Sequence, residues 1–233
     1  MKEALAEGLI DVNPCVVVGG KSQRTGIEIA PPRSDAEFEK LLEEMPDEYK
    51  ALVVVFAAAA CRFGEAVDLR ADDITALRDW EGEIEYVAVT IDSQVQIIDG
   101  IVHQILPKAE SVRSVIVSGE DAEIIAERVE GRTGRERLFP ARTDPSRPLS
   151  RSTFDRHYDR ARKAAGMPNT RPYDLRHFAG TRYAQTGATL KEIMARLGHS
   201  SPSAALRYQH DADEARRIEL ATKAGRKRRM NKV

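Results

Sequence analysis

The sequence predicts an α+β fold, mainly α-helical, with one small three-stranded antiparallel sheet. Three observations predict it. Apolar residues recur at helical spacing from residue 34 to about residue 60, and again after residue 120. Between these stretches, residues 85–118 change to β-branched runs divided by two turn signals. Finally, 42% apolar residues in a chain of 233 supply a sizeable core without disulfide staples.

Residues 1–13 carry a short amphipathic pattern (Ala4, Leu5, Leu9, Ile10) that stops at Asn13-Pro14, and residues 15–33 hold Gly, Ser, Pro and Arg without periodicity. A helix that short cannot bury its own apolar face, so 1–33 is expected to be the end of an upstream domain plus a linker. The compact region is expected to open at Ser34-Asp35-Ala36-Glu37, a capping-box pattern before a helix with Phe38, Leu41 and Leu42 on one face. Pro46-Asp47 starts a second helix, roughly 47–60, whose apolar run from Ala51 to Cys61 predicts burial on most sides, with Arg62 at its end. The sheet is expected from EYVAVTIDSQVQII, a turn at Asp99-Gly100, IVHQIL, a turn over 107–110, and VRSVIV. Helical periodicity returns over 121–130, then follows a Gly-, Arg- and Pro-rich loop. Further helices are expected at about 152–165, 173–186, 189–197 and 202–209, with Gly166 and Gly187 as C-caps and Pro202 in a first turn.

The formal net charge of -1 hides an asymmetry. From Arg171 to Val233 there are fourteen Lys or Arg against six Asp or Glu, which leaves residues 1–170 at a net -9. A basic last third permits one cationic face to meet a polyanion, although a block of like charge is more often solvated surface. Cys15 and Cys61 are far apart and match no metal-ligand spacing, so both are read as free thiols of a reducing compartment. No apolar run approaches the roughly 20 residues needed to span a bilayer, and MKEALAEGLIDVNP is charged rather than signal-like.

Three strings carry the candidate chemistry: ACRFGEAVDLRADDI (60–74), YDLRHFAGTRYAQTGATLKEIMARLGHSS (173–201) and ALRYQH (205–210). Breaking a phosphodiester without a metal requires a nucleophile, cations on the non-bridging oxygens, and a proton for the leaving oxygen. Arg62 and Arg176 offer paired N–H donors that stay charged at any working pH, which lysines do less well. Tyr208 offers a phenol with an ordinary pKa of about 10, so neighbouring cations must favour its phenolate. Singly, each residue has an ordinary explanation. Tyr208 could be packing, Arg62 could cap the preceding helix, Lys108 could be an exposed turn lysine, His199 a C-cap, and Arg176 a partner of Asp174.

Jointly, their order and spacing resemble the tyrosine recombinases of the phage-integrase kind. That family has an Arg after a buried helix with an acid three positions on, a β-hairpin Lys, a His-x-x-Arg box, Leu-Gly-His, and a Tyr about nine residues later. Arg62 with Glu65, Lys108, Arg176, His199 and Tyr208 fill those places, over roughly residues 34–210. The sheet region is most similar to integrases of actinobacterial phages. The resemblance implies the helical catalytic domain of tyrosine recombinases over 34–210, preceded by an absent core-DNA-binding domain and followed by a C-terminal helix and basic tail over 211–233.

It also implies site-specific recombination of double-stranded DNA through a 3′-phosphotyrosine at Tyr208, without metal, ATP or other cofactor. Lys108 then protonates the leaving 5′-hydroxyl, His199 hydrogen-bonds the scissile phosphate, and Glu65 and His177 support the site. A homotetramer on DNA, an accessory DNA-bending protein, and action in the cytoplasm of a bacterial host are further implications. One position departs from the pattern: Tyr173 stands where the box has His, and a phenol donates a hydrogen bond but is a poor base near neutral pH. Arg226, Lys227, Arg228 and Arg229 are either phosphate contacts or a solvated tail. Three alternatives stay open: a host recombinase of the Xer type, a type IB topoisomerase, and a DNA-binding module that has lost catalysis.

Overall fold

The computed structural model describes residues 5–11, 29–107, 111–202, 205 and 206. Lys108, Tyr208 and Arg226–Arg229 lie outside the described residues, as do Cys15 and most of the helix expected over 202–209.

Ser34 opens α1 (Asp35–Glu43) by accepting from the Glu37 N–H at 3.2 Å. The Glu37 carboxylate accepts from the Arg33 N–H, one residue earlier than the expected box. The following helix, α2 (Asp47–Ala58), buries nine of its twelve residues. An apolar run with no polar stripe has no solvent face to offer, so the chain wraps it on all sides. Each fully buried Val or Leu there contributes roughly 1.5–3 kcal/mol. Around it pack α4 (Glu120–Val129) and α6 (Pro172–Gln185). Between α2 and the sheet lies a one-turn helix, α3 (Phe63–Ala66). The second half adds α5 (Arg151–Ala164) and α7 (Leu190–Leu197). Residues Gly166 and Gly187 follow the caps Ala165 and Thr186 by one position, both with positive φ.

The sheet differs from the expected one in its membership. Its order is β1 (Ile74–Arg78), β2 (Ile84–Ile91) and β5 (Arg113–Ser118), all antiparallel. The expected long first strand breaks at Asp92-Ser93, and its second half becomes β3 (Gln94–Ile98), which pairs only with β4 (Ile101–Ile105). Asp99 and Gly100 both have positive φ, as a two-residue hairpin turn requires. The hairpin leaves the sheet because it serves the site segment instead: at Gly64 in α3, an added Cβ would lie 2.6 Å from the Val95 carbonyl oxygen. Strand β1 goes unrecognised in the sequence because ITALR buries only Ile74 and lacks alternation. A third small hairpin, β6 (Pro140–Ala141) with β7 (Asp144–Pro148), lies in the expected loop.

One face of the main sheet is apolar, with Val87, Val89, Ile91, Val115 and Val117 turned inward against α4. Arg113 occupies the same inward register, opposite Ile91. A smaller core of Ala179, Ala184, Ile193, Leu197 and Ala205 holds α6 to α7. Among the described residues, no helix is long and apolar enough to cross a membrane.

Candidate active site

Glu65 is the centre of the site. As the third residue of α3 it accepts from the backbone N–H of Arg62 at 2.9 Å, which is the capping-box arrangement, and its other oxygen takes the Arg62 guanidinium at 2.6 Å. The spacing Arg-x-x-Glu is therefore a local device: a one-turn helix places both groups of the ion pair on one side. The Arg62 side chain remains about one-quarter exposed while Glu65 is sealed. Arg62 thus caps the helix after it, and the preceding helix end is served by another residue.

That residue is Arg196, which donates to the carbonyl of Ala58 at 2.7 Å, while Arg176, one turn into α6 and 1% exposed, binds the segment just beyond. The Arg176 guanidinium donates to the carbonyl of Ala60, which adopts a left-handed φ of 56°, and to the carbonyl of Leu197 at the end of α7. It also stands 3.9 Å from the Glu65 carboxylate, while its Nε has no hydrogen-bond partner among the described residues. Asp174, the alternative partner considered from sequence, pairs with Arg171 instead. Binding Ala60 joins the second string to the first, and binding Leu197 ties Arg176 to the turn where Gly198 and His199 follow directly. Gly198 is the left-handed cap of α7, with φ 60°, and the His199 N–H closes the turn on the Met194 carbonyl at 2.9 Å. A cleft of about 210 Å³, lined by Ser111, Arg113, Met194, Gly198, His199 and Ser200, opens beside this turn.

Arg113 joins the cluster from β5, 2.8 Å from Glu65. Sequence reasoning missed it, although an Arg at an inward position of an alternating strand is the signal that finds it. Three guanidiniums thus surround one carboxylate. Burial pushes the Glu65 pKa upward, but the hydrogen bond and charge of Arg113, with the Arg62 N–H and charge, more than offset it and hold the pKa below its ordinary value. Burial, reinforced by the charge of Arg62, pushes Arg176 down to about 10, which leaves it cationic at neutral pH.

The other expected residues are more peripheral. Tyr173 begins the same helix as Arg176 yet is half-exposed, its ring edge-on to that of the buried His177 at 5.4 Å. Beside it a cleft of about 500 Å³ is lined by Arg151, Asp155, Tyr158, Arg162 and Arg171 among others. Arg151 lies 5.0 Å over the Phe63 ring, next to Arg62. Cys61 is a buried free thiol whose pKa burial pushes up to about 12, so it is no nucleophile here. No group of three or more His, Cys, Asp or Glu able to hold a metal occurs among the described residues.

The helical architecture and the buried Arg-x-x-Glu centre define a class. Residues 34–215 match the model of the phage integrase family, and the chain belongs to that family, the tyrosine recombinases. It is 41% identical over 216 residues to a putative prophage phiRv2 integrase of Mycobacterium tuberculosis, covering 91% of this chain and 55% of that protein. It is 32% identical over 220 residues to the integrase of Mycobacterium phage L5, covering 93% of this chain and 57% of the relative. The chain therefore spans just over half the length of these relatives.

Among solved structures, it is similar in fold to the Tn1549 transposon integrase in complex with a circular intermediate DNA (TM-score 0.67, 19% identity, 94% of this chain and 74% of the other). The catalytic domain of bacteriophage HP1 integrase gives a TM-score of 0.50 at 19% identity, over 83% of this chain and 94% of that one. At such identities the structural likeness speaks for the fold, and the mycobacterial relatives agree with the resemblance drawn from the sheet region.

Proposed function

We propose that this chain is the catalytic part of a site-specific recombinase that integrates or excises phage or mobile-element DNA. The observation that carries the reading is the shared Glu65: one buried carboxylate holds Arg62 and Arg176 together, and Arg176 in turn holds the turn that carries His199. Two fixed guanidiniums with surplus positive charge suit a phosphodiester whose non-bridging oxygens gain charge in the transition state. Tyr208, its phenolic proton lost to solvent as the neighbouring cations favour the phenolate, attacks phosphorus and displaces the 5′-oxygen. The DNA is left as a 3′-phosphotyrosine, and Lys108 delivers a proton to the departing 5′-oxygen. The 5′-hydroxyl of a partner strand then reverses the step. One phosphodiester replaces another, so neither ATP nor a metal ion enters the balance.

In this reading residues 34–210 form the catalytic domain, and 1–33 join it to a core-DNA-binding domain. Residues 211–233 contribute a helix and the basic tail at Arg226–Arg229. Four copies assemble on double-stranded DNA in the bacterial host, with an accessory bending protein where the site demands it. Tyr173 donates a hydrogen bond toward the phosphate in place of the usual His.

A nicked attachment-site duplex tests the proposal, because loss of the short fragment beyond the cut traps the covalent intermediate. The expected result is a protein–DNA adduct that resists chelator, needs no ATP and disappears in Tyr208→Phe. An adduct that persists in Tyr208→Phe, or none from the unaltered chain, overturns the reading. Relaxation of supercoiled plasmid without recombinant products would point to a type IB topoisomerase.

A further inference from the structure

We propose that Arg113 is a positioning residue of this site, occupying one oxygen of Glu65 so that Arg62 and Arg176 keep their surplus charge and donors for a phosphate. The inference rests on the recombinase reading and adds to it a residue that never touches DNA.

Arg113 lies in the apolar layer of the sheet, opposite Ile91 and two residues from Val115, and its side chain is almost wholly covered. A guanidinium among valines is costly unless every donor direction is used. Here its NH2 donates to Glu65 Oε2 at 2.8 Å, its NH1 to the Ser111 carbonyl at 3.2 Å, and its Nε to the Arg196 carbonyl at 3.1 Å. All three partners are protein groups, so three of its five N–H donors are committed within the protein. Packing of this buried position would be served far more simply by another valine, and the Glu65 contact supplies a reason for the arginine.

The charge balance supplies that reason. Glu65 Oε1 is taken by Arg62, and Oε2 by the Arg62 backbone N–H and Arg113. Arg176 waits at 3.9 Å from Oε2, near enough for Coulomb attraction but outside hydrogen-bond range. With Arg113 present, three cations face one anion. Remove Arg113, and Oε2 keeps only the Arg62 N–H, which leaves it open to a second donor from Arg176. Closing that gap draws the guanidinium off the Ala60 and Leu197 carbonyls and halves the surplus charge of the cluster. The same side chain also braces the His199 turn: a Cβ added to Gly198 would lie 3.0 Å from Arg113 NH1, and Arg196, whose carbonyl Arg113 binds, is three residues before His199.

The test is single-turnover cleavage of the nicked duplex at saturating DNA, alongside DNA affinity and thermal melting. Arg113→Met is expected to slow adduct formation by about 10- to 100-fold, the range for groups that orient others in a site, while DNA affinity stays within about twofold of unaltered protein, as burial of the side chain implies. Arg113→Lys, which keeps the charge, recovers most of the rate. Arg113→Gln, which keeps a donor and loses the charge, does not, and it serves if the Met variant fails to fold. Combining Arg113→Met with Glu65→Gln gives a rate no lower than the slower single variant, since both act on one network. Folded Met and Gln variants cleaving at full rate, or losses that multiply in the double variant, overturn the inference while the Tyr208-dependent adduct of the unaltered chain still stands. Absence of that adduct overturns the recombinase reading and this inference together.

Discussion

Two buried carboxylates three residues apart, Glu65 and Asp68, are each surrounded by arginines and yet are built for different ends. Asp68 is closed. Arg137 and Arg70 reach its Oδ1 at 3.1 and 3.4 Å, and the Gln104 amide donates to Oδ2 at 3.0 Å. Other donors of those arginines go to the carbonyls of Arg135, Ser146, Val67 and Asp68 itself. That cluster ties α3 and its exit to the 135–137 loop and to β4, with its donors largely used within the protein. Around Glu65, three guanidiniums crowd one carboxylate, Arg62 stays partly open, and the Arg176 Nε is left over. Both carboxylates are outnumbered by guanidiniums, so what separates the two clusters is whether their donors are used within the protein and their cations covered, and composition alone does not show that.

The largest effect tests the structural side. Asp68→Ala leaves two covered guanidiniums without their anion and should destabilise the fold by about 3–5 kcal/mol, read by denaturant unfolding, while the folded fraction cleaves DNA at the normal rate. A specific loss of cleavage would break the comparison. Next, Arg176→Ala should cost on the order of 100- to 1000-fold in cleavage rate with a much smaller change in DNA affinity, measured by single-turnover adduct formation and gel shift. Equal losses in rate and affinity would make Arg176 a binding residue only. Gly198→Ala forces a left-handed backbone on a residue with a Cβ, a cost of roughly 1–2 kcal/mol. It also crowds Ser111 and Arg113 at 2.9 and 3.0 Å. Melting should show that cost, and cleavage should fall with it because the strain falls on the Glu65 side.

Local patterns were legible in the sequence; long-range pairings were not. The helices of the compact region were readable because caps and apolar spacing are short-range signals: Ser34 before α1, Pro46 before α2, glycines after α5 and α6. Arg-x-x-Glu was readable for the same reason, since a single turn closes it. The sheet was misread because strand partnership is decided by tertiary contact: β1 has almost no alternation, and β3 leaves its neighbour to pack on Gly64. Arg113 was missed because its meaning depends on a carboxylate 48 positions away.

The smallest predicted effect concerns Tyr173, where the family pattern and this chain diverge. Its half-exposed phenol sits at the start of the helix that buries Arg176, beside the arginine-lined cleft. A phenol there can donate one hydrogen bond to a phosphate oxygen and accept no proton usefully at neutral pH. Tyr173→Phe should therefore slow cleavage by about 2- to 10-fold, the worth of one hydrogen bond. Tyr173→His, which restores the family's residue and also donates, should retain activity. If the His variant is inactive while folded, Tyr173 is not a donor at the phosphate, and the divide between saturated and unsaturated groups must be redrawn to leave the first turn of α6 outside the site.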